Sequence, residues 1–554
     1  MHYRPLTELP THSVTNQPPA LGDMDFFAGD AAFAEAVARE GSPQSVERAK
    51  AYGRLVGSEE VRALGVDANR HPPELVSFDR YGRRLDEVRF HPAYHRLMEI
   101  GITHRQPAVA WSGEAGGHVS HAALEFILHQ VDAGVCCPLS MTYAGIPALR
   151  TNPALARQWE AKFLSDKYDP RFLPMEEKAG CTMGMAMTEK QGGSDVRANS
   201  TRATRLAGSD GEYSLRGHKW FCSAPMSDAF LTLAYAEGGL TCFFVPRWTP
   251  DGERNRIFIQ RLKDKLGNRS NASSEIEYHD AWAVRVGEEG RGVPTIIEMV
   301  HHTRLDTTVG AAALMRRALV EAMHHATHRS AFQRRLVDQP LMQSVLADLA
   351  IESEAATLLT FRIARAFDDT KQDESARDFA RLAVALAKYW LNKRVVGVVY
   401  EALEVIGGGG YVEESPMAWL YREAPLNGIW EGSGNVIALD LLRTMAKAPR
   451  ALDLYLAEIG GARGADRRFD AAIDALAARL SGARAEEATA RRLAEEMALL
   501  LQGALLLRHA PAAVADAFVA TRLAGDWGHA YGTLPAAADR RAIIDRVRKD
   551  TDAA

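Results

Sequence analysis

The chain has little of what would place it in a specialised class. Five cysteines in 554 residues are too few for a disulfide framework, and their spacing suits no metal. Cys136 and Cys137 are adjacent, while Cys181, Cys222 and Cys242 stand alone. They read as buried thiols of a reducing compartment. Net charge is small, with 66 Lys+Arg against 71 Asp+Glu, so no whole-chain basic excess advertises nucleic acid. The longest apolar run, near Met497–Leu507, is broken by Gln502 and Gly503 and cannot cross a bilayer, which takes about 20 residues. The opening stretch, MHYRPLTELPTHSVTNQPPA, lacks the apolar core of a secretory signal. A soluble, cytoplasmic protein without a membrane partner is expected.

What is present is ordinary for a globular chain, 47% hydrophobic and 25% charged. At roughly 150 residues per domain the length suggests three to four domains. Residues 1–180 read as an N-terminal helical domain, in which Ser120–Ala133 and Pro153–Leu164 carry apolar residues at helical spacing. Over 181–290 the pattern changes to short β-favouring runs, Phe230–Tyr235, Leu240–Val245 and Glu275–Tyr278, with a turn signal at 208–211. The helical period returns over 291–444, where Leu349, Ala356 and Ile363 fall at seven-residue steps. A second long segment, Ala383–Ile406, stops at the four glycines 407–410. Residues 445–554 form a helical extension rich in Ala, Leu and Arg. The expected fold is mainly α with a central β domain.

Three clusters carry candidate chemistry. In Ala186–Ala198, AMTEKQGGSDVRA, Gly192 and Gly193 let the backbone turn tightly, and the hydroxyls of Thr188 and Ser194 could bind phosphate or a flavin edge. A plain polar turn fits the same residues. In Gly217–Ser223, GHKWFCS, strand geometry sends one of Trp220 and Phe221 inward and offers the other to a planar ligand, although ordinary core strand also fits. In IWEGSGN, Glu431 lies between Trp430 and Gly432. Partial desolvation there would raise its pKa toward that of a general base, against the alternative of an exposed loop carboxylate. His324, His325 and His328 offer an i, i+4 pair but no third ligand, so no metal is assigned.

Taken in order, AMTEKQGGSD, HKWFCS, KDKLGNRSNASSEIEY, HHATHRSAF and YREAP…IWEGSGN resemble the acyl-CoA dehydrogenase superfamily. The resemblance implies a helical domain, a small β-barrel or sandwich, and a C-terminal four-helix bundle, with FAD as cofactor. It puts Glu431 at the position of the base that removes the α proton of an acyl-CoA thioester. Met185, Met187, Thr188, Gly192, Gly193 and Ser194 would line the flavin and its phosphates. Phe221, Cys222 and Ser223 would lie against the ring, and Ile429, Trp430, Gly432, Ser433 and Asn435 would close over it. The chain departs from the usual pattern at Phe221 (for Trp), Ser223 (for Thr), Trp430 (for Tyr), Asn435 (for Gln) and Gln333, where the Arg-x-x-Phe-Gly motif loses its glycine. These changes keep the base and the flavin pocket and alter the acyl-CoA fit. Arg443 could pair with Glu431 or fill acyl space.

Within the superfamily the chain is most similar to the branch linked to the response to alkylating agents. That implies an FAD-bound homotetramer with weak or vestigial acyl-CoA dehydrogenase activity that binds double-stranded DNA. Residues 445–554 hold 16 Lys+Arg and 15 Asp+Glu, net +1, with arginines grouped at 463, 467 and 468, at 484, 491 and 492, and from Arg540 to Lys549. Any DNA binding would be phosphate-driven, sequence-tolerant and salt-sensitive. The alternative is an ordinary short- or branched-chain acyl-CoA dehydrogenase whose extension serves assembly only. A third reading, a flavin that inactivates alkylators, has no residue devoted to it.

Overall fold

The computed structural model describes residues 5–481 and 486–552. Its centre is a small β unit inserted between helical blocks. Strands β1 (Glu74–Phe78) and β2 (Arg84–Arg89) form a separate hairpin inside the N-terminal region, which the sequence pattern had put down as mainly helical. The main sheet comprises β3 (Met183–Ala186), β4 (Arg202–Arg205), β5 (Glu212–Ser223), β6 (Ala229–Ala236), β7 (Gly239–Pro246), β8 (Ile257–Leu262) and β9 (Ser273–Val286). Its order is β3-β6-β4-β5-β9-β7, β8 flanks β9, and β6 also pairs with β7, so the sheet closes on itself as a small barrel. Turn residues 208–211 join β4 to β5, whose register runs Arg205 to Tyr213. β6 and β7 are buried along most of their length, reading as apolar runs rather than alternating strands.

Three long helices, Gly292–His328, Pro340–Asp369 and Glu374–Ile406, pack on one another. With the helix Gly434–Lys447 they carry the largest apolar core of the molecule. The third ends at Gly407, whose φ of 73° no helix interior would accept. The single helix expected at Ser120–Ala133 is two, Gly117–His129 and Ala133–Ala144. The break comes at Asp132, whose carboxylate accepts the Val135 amide at 3.1 Å and caps the second helix.

The extension is clasped to the bundle by buried charge. Arg522, in a π-helical turn at Val519–Leu523, reaches Asp348 and bonds Glu352 at 2.8 Å, while Arg394 bonds Glu352 at 3.0 Å. Trp527 lies under the Arg522 guanidinium at 4.2 Å and donates to Asp348 at 3.0 Å. Among the described residues no helix is long and apolar enough to cross a membrane.

Candidate active site

The Gly-Gly turn hangs from the end of β3. Gly192 takes a φ of 130°, and a Cβ on Gly193 would come within 2.5 Å of Thr188 Oγ1, so both glycines are needed for the backbone to close here. The turn is anchored from below by Glu189. Its buried carboxylate accepts Lys219 Nζ at 2.9 Å, Ser200 N and Oγ at 2.6 and 2.8 Å, and Thr201 N and Oγ1 at 3.1 and 2.6 Å. Burial alone would raise its pKa; the Lys219 charge and these hydrogen bonds instead bring it down to about 2. The Trp220 amide donates to the Thr188 carbonyl at 2.7 Å, tying this turn to β5. Met185, Met187, Thr188 and Ser223 are partly buried, and Ser194 is exposed.

On β5 the register shifts between Lys219 and Cys222, and the burial of each side chain past that irregularity decides which can meet a ligand. Phe221 faces outward and is 46% exposed, whereas Cys222 points into the barrel core and is 1% exposed. The Cys222 thiol therefore cannot touch a ring laid on the outer face; the side chains available there are Phe221 and Ser223. Lys263 Nζ sits 3.2 Å from the Trp220 ring centroid and 4.8 Å from that of Phe221.

Glu431 occupies a strained turn. Its φ is 57°, in the left-handed region where a non-glycine residue costs about 1–2 kcal/mol. The strain is held by contacts from two helices, Gly292–His328 and Glu374–Ile406. Thr303 Oγ1 donates to the carboxylate Oε2 at 2.6 Å, Arg304 Nε donates to the Glu431 carbonyl at 3.1 Å, and Lys388 Nζ donates to the Gly432 carbonyl. Asp440 fixes Arg304 at 2.8 Å from its own helix. Trp430 is pinned by its indole N–H to Asn427 Oδ1 at 2.6 Å and packs on the apolar cluster that also receives Met185 and Met187. Burial raises the Glu431 pKa, an effect opposed by Thr303, Lys388 and Arg304. Ser433 precedes the helix Gly434–Lys447 at its N-terminus, and Ile429 and Asn435 are exposed.

Arg443, the cation considered for Glu431 from sequence, is exposed one helix further on; the cations acting on the carboxylate are Lys388 and Arg304. Neither was marked by any motif. Behind Thr303, His302 packs against Trp111, Tyr143, His118 and Phe367, and burial lowers its pKa to about 4, so this wall is uncharged near neutrality. The KDKLGNRSNAS loop is locked from both sides: Asn268 Nδ2 bonds Glu423 at 3.0 Å and Ser270 bonds Asp132 at 2.8 Å.

His324 bonds the Pro19 carbonyl at 2.8 Å. A different trio, Glu125, His129 and Cys136, brings its donor atoms within 4.8 Å of one another in the core. Burial drives Glu125 well up toward its protonated form; it accepts from Gln106 Nε2 and lies 3.3 Å from His129 Nδ1.

In the extension most clustered arginines are spent on carboxylates of the same chain. Arg463 pairs with Asp474, Arg468 with Asp466 and Asp516, Arg492 with Glu496, Arg541 with Asp545, and Arg546 with Glu35 and Glu354. Arg484 lies outside the described residues.

Comparison with known proteins fits this architecture. The family model for the adaptive response protein AidB N-terminal domain matches residues 16–170, that for the acyl-CoA dehydrogenase middle domain matches 184–281, and that for the acyl-CoA dehydrogenase C-terminal domain matches 290–446. The putative acyl-CoA dehydrogenase AidB of Escherichia coli K12 is 46% identical over 512 residues, covering 92% of this chain and 94% of its own. The structure of Caenorhabditis elegans ACDH-11 in complex with C11-CoA superimposes with a TM-score of 0.82 at 25% identity, covering all of this chain and 94% of the other. An acyl-CoA dehydrogenase from Bacillus anthracis complexed with FAD shares the fold with a TM-score of 0.68 at 17% identity, over 95% of each chain. The chain belongs to the acyl-CoA dehydrogenase family and, within it, to the AidB group.

Proposed function

We propose that the chain is an FAD-dependent oxidoreductase acting on an acyl-CoA thioester, with Glu431 as the base that takes the α proton. The observation that carries this reading is the Glu431 turn itself: a residue with left-handed backbone whose buried carboxylate is raised in pKa, held by groups from two helices. Strain of that kind persists where the surroundings over-determine it, as they do at working sites.

FAD suits the face between β5 and this turn. Phe221 and Ile429, 46% and 67% exposed, offer apolar surface to a ring, and the Gly192–Gly193 backbone with Thr188 and Ser194 offers donors to its phosphates. When bound, the flavin supplies the acceptor for the hydride that leaves the β carbon. Thr303 engages Oε2 of Glu431, leaving Oε1 as the oxygen that would meet a substrate proton, and Trp430 fills apolar space beside it. In the complex of the C. elegans relative the ligand is C11-CoA, which supports an acyl-CoA as the substrate class.

A homotetramer is proposed as the working assembly. Tyr411, Phe332 and Leu341 are 81%, 91% and 84% exposed, apolar surface that a further copy would cover. Duplex DNA is the second proposed partner, and its support is narrower. Arg467 and Arg491 are exposed and form no ion pair among the described residues, so binding rests on few phosphate contacts per copy and on their repetition in the assembly.

The test is anaerobic mixing of the yellow protein with butyryl-CoA and isovaleryl-CoA, following flavin absorbance. The wild type is expected to bleach slowly, and Glu431→Gln to keep its FAD while losing bleaching by at least about a hundredfold. Equal bleaching by both proteins would remove Glu431 from the role of base.

A further inference from the structure

We propose that Lys388 is a positioning residue of this site: its ammonium ties down the carbonyl that follows Glu431 and supplies the uncompensated positive charge that keeps the Glu431 carboxylate ionised. The inference rests on the reading of Glu431 as base.

The geometry singles Lys388 out from its neighbours. It projects from the Glu374–Ile406 helix, is 1% exposed, and donates to the Gly432 carbonyl. The backbone carbonyl accepts one of its hydrogen bonds and carries no formal charge to neutralise the ammonium. Among the described residues no carboxylate lies within ion-pair distance of Lys388; the acidic group acting on it is Glu431, while Arg304 and Lys393 oppose its charge. Arg304 is differently placed. Its guanidinium is already paired with Asp440 at 2.8 Å, so much of its charge is cancelled before it acts on Glu431. Thr303 holds the carboxylate through one hydrogen bond without a formal charge, and Asp306 raises the proton affinity of Glu431 rather than lowering it. Lys388 is thus the cation whose counter-charge is Glu431. Its own burial lowers its pKa to about 7, so the charge it supplies fades as pH rises past neutrality.

Two consequences separate this role from a merely structural one. Without the Lys388 charge, the Glu431 pKa rises by about one to two units, the usual effect of removing a close opposite charge. With arginine in its place the charge persists at all working pH values.

The experiment uses the full-length, FAD-loaded protein and pH-difference infrared spectroscopy of the protonated carboxyl stretch, with Glu431→Gln assigning the band. Lys388→Met is expected to move the Glu431 midpoint upward by about one to two pH units, and Lys388→Arg to leave it at or below the wild-type value. Flavin reduction by butyryl-CoA should follow, its acidic limb shifting in Lys388→Met and returning in Lys388→Arg. An unmoved midpoint in Lys388→Met overturns the proposal, and so does a Lys388→Arg midpoint raised by a unit or more, which remains decisive should the methionine variant not fold. If Glu431→Gln still reduces its flavin, the base reading falls, while the infrared midpoints continue to judge Lys388 separately.

Discussion

Lys219→Met attacks the anchor beneath the proposed flavin turn. In the native protein the Glu189 carboxylate is fully buried against Lys219 at 2.9 Å and accepts four further hydrogen bonds from Ser200 and Thr201. Breaking a buried pair by removing one partner costs roughly 3–5 kcal/mol. The surviving donors put the expected value at the low end, about 3 kcal/mol. Unfolding entropy of about 2.1 cal/mol/K per residue turns that into a Tm loss of about 3 °C for a chain of this length melting as one unit. The carboxylate pKa, held at about 2 against its ordinary 4.5, contributes stability that is full above pH 4.5 and is lost as pH falls toward 2. Without Lys219 the folded-state pKa moves up toward 4.5, so this pH-dependent contribution should shrink and its acid-side loss should be complete at a higher pH. The double variant Glu189→Gln/Lys219→Met should recover most of the Tm, since no unpaired charge then remains buried. Differential scanning calorimetry and the flavin-to-protein absorbance ratio read both effects. A Lys219→Met protein within 1 °C of wild type, with full flavin content, would refute the reasoning.

Other consequences follow from single features. Arg522→Met strips Asp348 and Glu352 of a buried cation, leaving Asp348 its bonds to Trp527 and Gly532; a loss of about 3–5 kcal/mol in urea unfolding is expected, and under 1 kcal/mol would show that the clasp is dispensable. Gln333 has a φ of 63° in the tight turn after Phe332, so Gln333→Gly should stabilise by about 0.5–1 kcal/mol, checked by the urea midpoint; destabilisation would mean the side chain makes an unrecognised contact. Among the described residues of the extension Lys447, Arg450, Arg467 and Arg491 are exposed and outside ion pairs, so duplex DNA retardation should show a slope of log affinity on log salt no steeper than about −4 per engaged copy, and Arg467→Ala/Arg491→Ala should flatten it by about 2. A steep slope that survives the double change would place the phosphate contacts elsewhere.

The order of helices, β unit and bundle was legible because hydrophobic period changes sharply at its borders, as between the Phe230–Tyr235 run in β6 and the long helices after Gly292. Local capping was harder to read: Asp132 splits one periodic run into two helices, a signal carried by a single side chain. The motifs marked Glu431, Thr188 and the glycines as candidates, since turn chemistry is written in adjacent residues. They could not reveal Thr303 or Lys388, whose bonds to this turn span 128 and 44 positions and come from helix faces that look like ordinary core. Arg443 drew attention by being near in sequence, yet helical geometry leaves it exposed and gives the task to cations on other helices. Of the stretch Phe221–Ser223 that the resemblance sets against the ring, the Cys222 side chain is buried in the barrel core, which a motif alone does not show.

The most direct measurement of the central claim is deuterium wash-in at the α carbon of butyryl-CoA, followed by NMR in D₂O with the FAD-loaded protein. Proton abstraction by Glu431 predicts exchange at the α position with wild type and none above background with Glu431→Gln. Exchange that persists in Glu431→Gln, or its absence in the wild type with substrate bound, would contradict the account.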